Sequence, residues 1–313
     1  MNLIKIEDKD KFLKKNNYLG LFYFTSHVGM IFFLFFLILD NSNTYFFIFS
    51  YLFLGLLCSF TGTTGMTHEF YHNTVFTNKS VNQIIYKTLC VFNLLNYEYN
   101  SVSHKNHHMH NSYDEMDSEK TIEKITFLDL FFLFTINLPS LLSRLKYLIL
   151  NSLNIFPKGL INNNIGPNLQ LKIKNVARII LIVHISILIF FFKYLNFYYY
   201  LLLFIAPFTF NIFSNMISRA QHYQLEKNTN DSFRNTRTLR MNFFLEFLNW
   251  NMNYHIEHHI NPAIPFYNLP KFNKFLRKKY EKDIIYLNSF GKEGIFKFII
   301  LILRDNFLLK KFG

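Results

Sequence analysis

Twelve histidines lie along the 313 residues, and most of them fall into three short clusters. The first is His68-Glu69-Phe70-Tyr71-His72. The second is His104-Lys105-Asn106-His107-His108, with His110 close behind, and the third is His255-Ile256-Glu257-His258-His259. On a helix, positions i, i+3 and i+4 share a face, so each cluster aims its imidazoles in one direction. Neutral imidazole suits iron, zinc, copper or nickel, whereas magnesium or calcium would want oxygen ligands. Eight imidazoles exceed what one tetrahedral ion can use, which makes two ions the economical reading. The nearby carboxylates Glu69, Asp114, Asp117, Glu119 and Glu257 can each take the second N–H of an imidazole and so fix its tautomer and aim. Taken alone, His68-Glu69-x-x-His72 also matches the H-E-x-x-H helix of zinc proteases, with Glu69 as general base. A single-zinc protease leaves the other two clusters unexplained.

These clusters must be positioned by apolar helices. Half of the residues are hydrophobic, including 40 Phe and 19 Tyr, which excludes disordered and low-complexity classes. Spans are expected over 19–39, 44–67, 176–192 and 195–213, with cytoplasmic segments 68–175 and 214–313. Met1–Tyr18 is polar and Lys-rich and does not read as a signal peptide. Of the 33 Lys and Arg residues, 31 fall before the first span, between the second and third, or after the fourth. The positive-inside rule therefore puts both termini and all three clusters in the cytoplasm, and the net charge of +13 is a topology signal rather than a nucleic-acid footprint. The stretch 127–156 is too short to cross before Pro139 and afterwards suits a helix in the interface, and 294–307 suits docking on the membrane surface. The expected fold is an all-α integral membrane protein: one domain over 1–313, with four transmembrane helices and a cytoplasmic helical cap that carries a histidine-rich two-metal site. His27 and His184, alone within spans, are expected to bond to a neighbouring helix.

With these residues in place, the sequence resembles the membrane-bound fatty acid desaturases and their hydroxylase relatives. Their three boxes, H-x(3–4)-H, H-x(2–3)-H-H and H-x(2–3)-H-H, match His68-x3-His72, His104-x2-His107-His108 and His255-x2-His258-His259. The run from Asn235-Thr236-Arg237-Thr238 through Trp250-Asn251-Met252-Asn253-Tyr254-His255 to Pro265-Phe266-Tyr267-Asn268-Leu269-Pro270 is similar to a bacterial branch of hydrocarbon-oxygenase-like proteins, one of them linked to rhizopine catabolism. The resemblance implies nine metal-binding histidines: those eight, and His222 as the ligand that relatives carry between the fourth span and the third box. Acyl-CoA desaturases show Asn four residues before that histidine, where this chain has Ser218. Asp117 and Glu119 stand where relatives carry an acidic pair, and Glu69, His110, Asp114, Asn253 and Glu257 are further candidates to support the ligands.

The implied activity is that of an O2-dependent enzyme with two iron ions. It would introduce a double bond into the alkyl chain of a fatty acyl lipid or, as a hydroxylase, insert oxygen. The implied partners are a lipid or acyl substrate and an external electron donor, a ferredoxin or similar carrier, on the basic cytoplasmic face. No flavin or nicotinamide fingerprint and no cysteine set for an iron–sulfur cluster is present, since Cys58 and Cys90 form no C-x-x-C pair. Arg234, Arg237 and Arg240 are available to pair with the acids, an anionic headgroup or that carrier.

Overall fold

The computed structural model describes residues 10–39, 43–111, 117, 119, 125–156, 165–229, 231–280 and 294–307. In chain order its α-helices are α1 (Asn17–Leu39), α2 (Thr44–Ser59), α3 (Met66–Tyr71), α4 (Lys79–Phe92), α5 (Tyr97–His110), α6 (Phe127–Phe134), α7 (Leu138–Ser152), α8 (Pro167–Tyr194), α9 (Phe197–Ile205), α10 (Ile212–Ala220), α11 (Ser232–Asn235), α12 (Phe243–Leu248), α13 (His255–Ile260), α14 (Leu269–Lys279) and α15 (Ile295–Phe307). No β-strand longer than an isolated bridge occurs among the described residues. Asparagine starts many of these helices. Asn43, Asn78, Asn96, Asn137, Asn196 and Asn242 each accept a first-turn backbone N–H with the side chain, opening α2, α4, α5, α7, α9 and α12. Such a cap contributes about 1 kcal/mol.

Two helices, α1 with 23 residues and α8 with 28, are long and apolar enough to cross a membrane. Only 17% and 22% of their apolar windows are buried, so Phe33, Phe36, Ile182 and Phe192 face outward. A core helix of a water-soluble protein would bury most of that surface. Each long helix packs against a shorter apolar partner, α1 against α2 and α8 against α9. These partners are shorter than the sequence pattern suggests. The span expected over 44–67 stops at Ser59, because Thr61-Gly62-Thr63-Thr64-Gly65 combines β-branched residues and glycines, which propagate a helix poorly. Gly65 then lets the chain reverse: a Cβ there would sit 2.5 Å from the Phe60 carbonyl oxygen. The span expected over 195–213 is likewise α9 plus a 3-10 turn at Ala206–Phe208 that contains Pro207, and Phe210 then takes a positive φ of 46°.

The stretch 127–156 forms α6 and α7, with Pro139 in the first turn of α7, where its missing N–H is harmless. Helix α7 packs along α8, and Arg144 turns inward to donate to the Asn93 carbonyl at 2.6 Å. Helix α15 leaves Phe296 and Ile300 exposed on one face. It packs on α10 and buries Ile295, Phe298 and Ile302. Arg237 lies over the Phe298 ring at 4.1 Å and donates to the Ala220 and Tyr223 carbonyls, so it braces the fold. Phe70, Trp250, Phe266 and Phe272 belong to a second apolar cluster, formed around α3, α13 and α14, that backs the first and third boxes.

His27 and His184 behave as expected of solitary histidines. His27 Nε2 donates to the Leu57 carbonyl at 3.0 Å while its Nδ1 accepts from Trp250 Nε1 at 3.1 Å. His184 Nε2 lies 2.9 Å from the Val91 carbonyl. The first of these ties α1 and α2 to the loop that precedes the third box. In that loop Trp250 and Asn251 both take positive φ, 50° and 54°, an uncommon state for a bulky residue and one that packing has to hold.

Candidate metal centre

The three boxes arrive on α3, α5 and α13, and His222 follows the end of α10. Their nitrogens form two groups: His68, His72, His104, His108 and His258 in one, and His107, His222, His255 and His259 in the other. Within each group the atoms lie within 4.8 Å of one another. The partition follows from helix geometry. At 100° per residue, i and i+4 differ by 40° on one side and i+3 lies 60° to the other. His104 and His108 thus join one group and His107 the other, and His255 and His259 separate from His258 in the same way. Two helices therefore contribute to both groups.

Hydrogen-bond bookkeeping shows what these groups can accept. His107 Nδ1 lies 3.0 Å from Asp117 Oδ1, and His104 Nδ1 lies 3.1 Å from Glu119 Oε2. His222 Nδ1 lies 3.1 Å from the Asn235 carbonyl. Each of these oxygens accepts, so the imidazole proton sits on Nδ1 and Nε2 presents a bare lone pair. Those lone pairs meet other nitrogens. His104 Nε2 is 3.0 Å from both His72 Nε2 and His108 Nε2, and His222 Nε2 is 3.0 Å from His255 Nε2. His68 Nε2 is buried with no hydrogen-bond partner among the described residues. One in-plane lone pair serves one imidazole proton well and two badly. A cation at each group would satisfy all of them together. At a metal–nitrogen bond of about 2.1 Å, two ligands at right angles sit about 3.0 Å apart, which is the spacing found here. The residues present fit two imidazole-bound metal ions.

Burial keeps these rings neutral. It pushes His68 down to about 3 and, despite opposing contacts with Glu119 and the Asn235 carbonyl respectively, His104 and His222 to about 4. Burial and then neighbouring imidazoles hold His72, His255, His258 and His259 well below the usual histidine range, and His108 is lowered for the same reasons. His107 alone is held up: burial lowers it, but Asp117 and Glu119 outweigh burial. A positive ion at its Nε2 would oppose that protonation. Glu119 stays ionised, because His104 and His107 overcome its burial and bring it to about 2.

The other candidates divide. Glu69 Oε1 faces His68 Nδ1 at 3.3 Å while Thr74 Oγ1 donates to Oε2 at 2.6 Å, and burial raises Glu69 to about 8. Its site is occupied by hydrogen bonds rather than open to a water, and His72 joins histidines from all three boxes, so the arrangement is not that of an isolated zinc-protease helix. Glu257 turns away from the nitrogens. It accepts from Thr238 Oγ1 at 2.6 Å and from Asn273 Nδ2, fixing α13 to its surroundings. Asn253 donates to the Leu239 carbonyl and to Glu246 Oε1, both at 3.0 Å, and so holds the turn before α13. His110 belongs to neither nitrogen group. Asp114 lies outside the described residues. Thr74 and Asn273 had no signal in sequence, since an isolated Thr or Asn has no characteristic spacing; Asn235 and Thr238 fall in the run that carries the resemblance, but nothing there shows that a carbonyl of one and the hydroxyl of the other hold the site.

A cavity of about 290 Å³ abuts both groups, touching His68 and His104 of one and His107, His222 and His255 of the other. Among the described residues the scaffold is helical, and beside the cavity it gathers two groups of imidazoles that could each hold a metal ion. The family model described as fatty acid desaturase matches residues 42–291, a stretch that contains all nine of these histidines. The chain belongs to the fatty acid desaturase family. No curated protein matches it.

Proposed function

We propose that the chain is an integral-membrane, O2-dependent di-iron oxidoreductase, and first an acyl-lipid desaturase that introduces a double bond into an alkyl chain. The observation that carries this reading is the gathering of nine imidazole nitrogens into groups of five and four inside a desaturase-family chain. The proposed ligands are His68, His72, His104, His108 and His258 for one iron, and His107, His222, His255 and His259 for the other. When bound, the two irons with O2 supply the oxidant that takes hydrogen from an unactivated C–H bond. The protein's own groups hold and orient. Asp117, Glu119 and the Asn235 carbonyl keep three imidazole protons on Nδ1, and Glu257, pinned by Thr238 and Asn273, fixes α13.

The hydroxylase reading differs only in the fate of the substrate, which gains oxygen instead of losing two hydrogens. The Thr63, Thr64, Ser103 and Ser218 side chains that line the cavity and the resemblance to the hydrocarbon-oxygenase-like branch favour keeping it as the second reading. We propose four crossings, over 19–39, 44–67, 176–192 and 195–213, the second and fourth made by α2 and α9 together with the turns that follow them, with both termini cytoplasmic. Electrons come from a ferredoxin-like carrier. Helix α14 is a suitable docking face: Lys271, Lys274 and Lys278 are exposed on it, and its inner Asn273 reaches Glu257 between two box-three histidines. The test is elemental mass spectrometry of the detergent-purified protein together with mass spectrometry of lipids from expressing cells. Close to two irons per chain, with products two hydrogens lighter or one oxygen heavier, is expected. One zinc and no iron would overturn the reading.

A further inference from the structure

A second cavity, of about 110 Å³, adjoins the one at the histidines and shares Leu95, Asn100 and Ser103 with it. Two of its other lining residues are under-satisfied. Asn151 is 1% exposed, and neither its Oδ1 nor its Nδ2 has a hydrogen-bond partner. Arg144 gives one N–H to the Asn93 carbonyl and packs 4.9 Å from the Phe208 ring, but among the described residues no carboxylate lies within 4 Å of its guanidinium. A half-buried guanidinium without a counter-charge, beside a buried amide without a partner, is an arrangement that folding alone does not favour. One ligand can serve the donors of both: an anion that accepts from the Arg fork and from Asn151 Nδ2.

The larger cavity mixes the two characters. Beside the histidines it is lined by Thr63, Thr64, Asn100, Ser103, Ser218, Gln221 and the Glu119 carboxylate, with Leu95 and Met252 as its apolar residues. Asn100 already donates to the Tyr86 hydroxyl and Gln221 to the Met252 carbonyl, so an alkyl segment can lie against them without leaving those amides bare.

The geometry points to an anion-binding subsite at Arg144 and Asn151 that holds the carboxylate or phosphate end of an amphiphilic substrate, so that the oxidised carbon lies close to that end. The inference rests on the reading of the histidine cavity as the reaction site and supplies its substrate class. Helix α5 sets the scale. Asn96 and Tyr99 line the smaller cavity and His104 the larger, five to eight residues apart, or roughly 8–12 Å of helix. The attacked carbon is therefore within about two helical turns of the anionic group, rather than deep in a long chain.

The test is binding, read without turnover: the purified full chain with its metal in place, held without O2, against dodecanoate, dodecyl phosphate and dodecanol. One or both anions are expected to bind at least about tenfold tighter than the alcohol, and the tighter of the two names the head group. Asn151→Asp, which sets a negative charge against the anion, should abolish that preference and leave dodecanol binding unchanged. Should the buried charge of that variant prevent folding, Asn151→Leu is the second variant and should reduce the preference several-fold. Equal binding of alcohol and anions, or an anion preference that survives in every folded Asn151 variant, would overturn the subsite. Neither result depends on which metal is bound or which product forms, so failure of the subsite is distinguishable from failure of the oxidoreductase reading.

Discussion

The carboxylates behind the imidazoles give the sharpest prediction, because each serves a different metal group. Asp117 Oδ1 accepts from both the Glu119 backbone N–H at 2.9 Å and His107 Nδ1, and only 5% of its side chain is exposed. His107 Nδ1 also lies 3.1 Å from Oδ2, so in Asp117→Asn an amide oxygen placed to serve both partners sets the NH2 against the His107 N–H. If it keeps Glu119 N–H, its NH2 faces His107 Nδ1 and drives the imidazole proton to Nε2, where it occupies the lone pair meant for metal. If it keeps His107, the charge that supports the ring is still gone. Loss of such an outer partner weakens metal binding by about 10- to 100-fold, or about 1.4–2.7 kcal/mol. Glu119→Gln removes the charge behind His104, but 29% of the Glu119 side chain is exposed and water replaces part of the contact, so a loss near or below about tenfold is expected. Asp117→Asn should therefore release the metal held by His107, His222, His255 and His259 and spare the other, and Glu119→Gln should do the reverse more weakly. Metal content is followed by elemental mass spectrometry as a competing chelator is raised, with one equivalent leaving early and one late. Simultaneous, equal loss of both equivalents in both variants, or no loss from either in a folded protein, would refute the tautomer argument.

Other perturbations test the scaffold. Gly55→Ala places a Cβ 2.5 Å from the Thr209 carbonyl oxygen where α2 meets the turn after α9, and a loss of about 1–3 kcal/mol should lower the thermal unfolding midpoint in detergent. His27→Leu or Trp250→Phe each leaves a buried partner unsatisfied and should cost about 1–3 kcal/mol, while the double variant should cost less than the sum; strict additivity in the thermal data would dismiss the link from α1 to the third box. In metal-free protein, eight of the nine clustered imidazoles have pKa values below that of an unfolded histidine. The unfolded chain therefore takes up the extra protons as pH falls through about 6.5, and stability should fall from there downward by about 1.4 kcal/mol per pH unit for each net proton. His107 and the raised carboxyls of Glu69, Glu246 and Glu257 act in the opposite sense but are fewer. An unfolding midpoint that does not change between pH 7.5 and 5.5 would contradict neutral burial of the imidazoles.

The residues that gather at the centre were legible because helix periodicity and box spacing are local properties. His222 was reached only through resemblance, since a lone histidine carries no spacing. What stayed hidden lay in breakers that hydropathy passes over and in packing. An apolar window carries the expected spans through Thr61–Gly65 and through Pro207, whereas α2 stops at Ser59 with Gly65 close against Phe60 and α9 gives way to the turn that holds Pro207 and Phe210. The interfacial reading of α7 missed Arg144 because a charge on an apolar face looks alike whether it faces headgroups or a buried carbonyl. The same holds for Glu257, whose place between His255 and His258 suggested a contact with an imidazole but whose side chain points to Thr238 and Asn273.

The shared helices carry one further consequence. Because α5 and α13 each feed both nitrogen groups, the two sites cannot be adjusted separately: a rotation of α5 that draws His107 toward its partners carries His104 and His108 with it. The elements that fix those rotations are therefore as much part of the centre as the rings. For α13 they are the Trp250–His27 bond and the Glu257 clasp, and for α5 they are the Asn96 cap together with the Asn96 bond to the Ile173 carbonyl of α8. Asn96 also lines the smaller cavity, so the residue that starts the helix of the second box stands beside the anion subsite. An occupant of that subsite would lie against the first turn of the helix that supplies both groups of imidazoles.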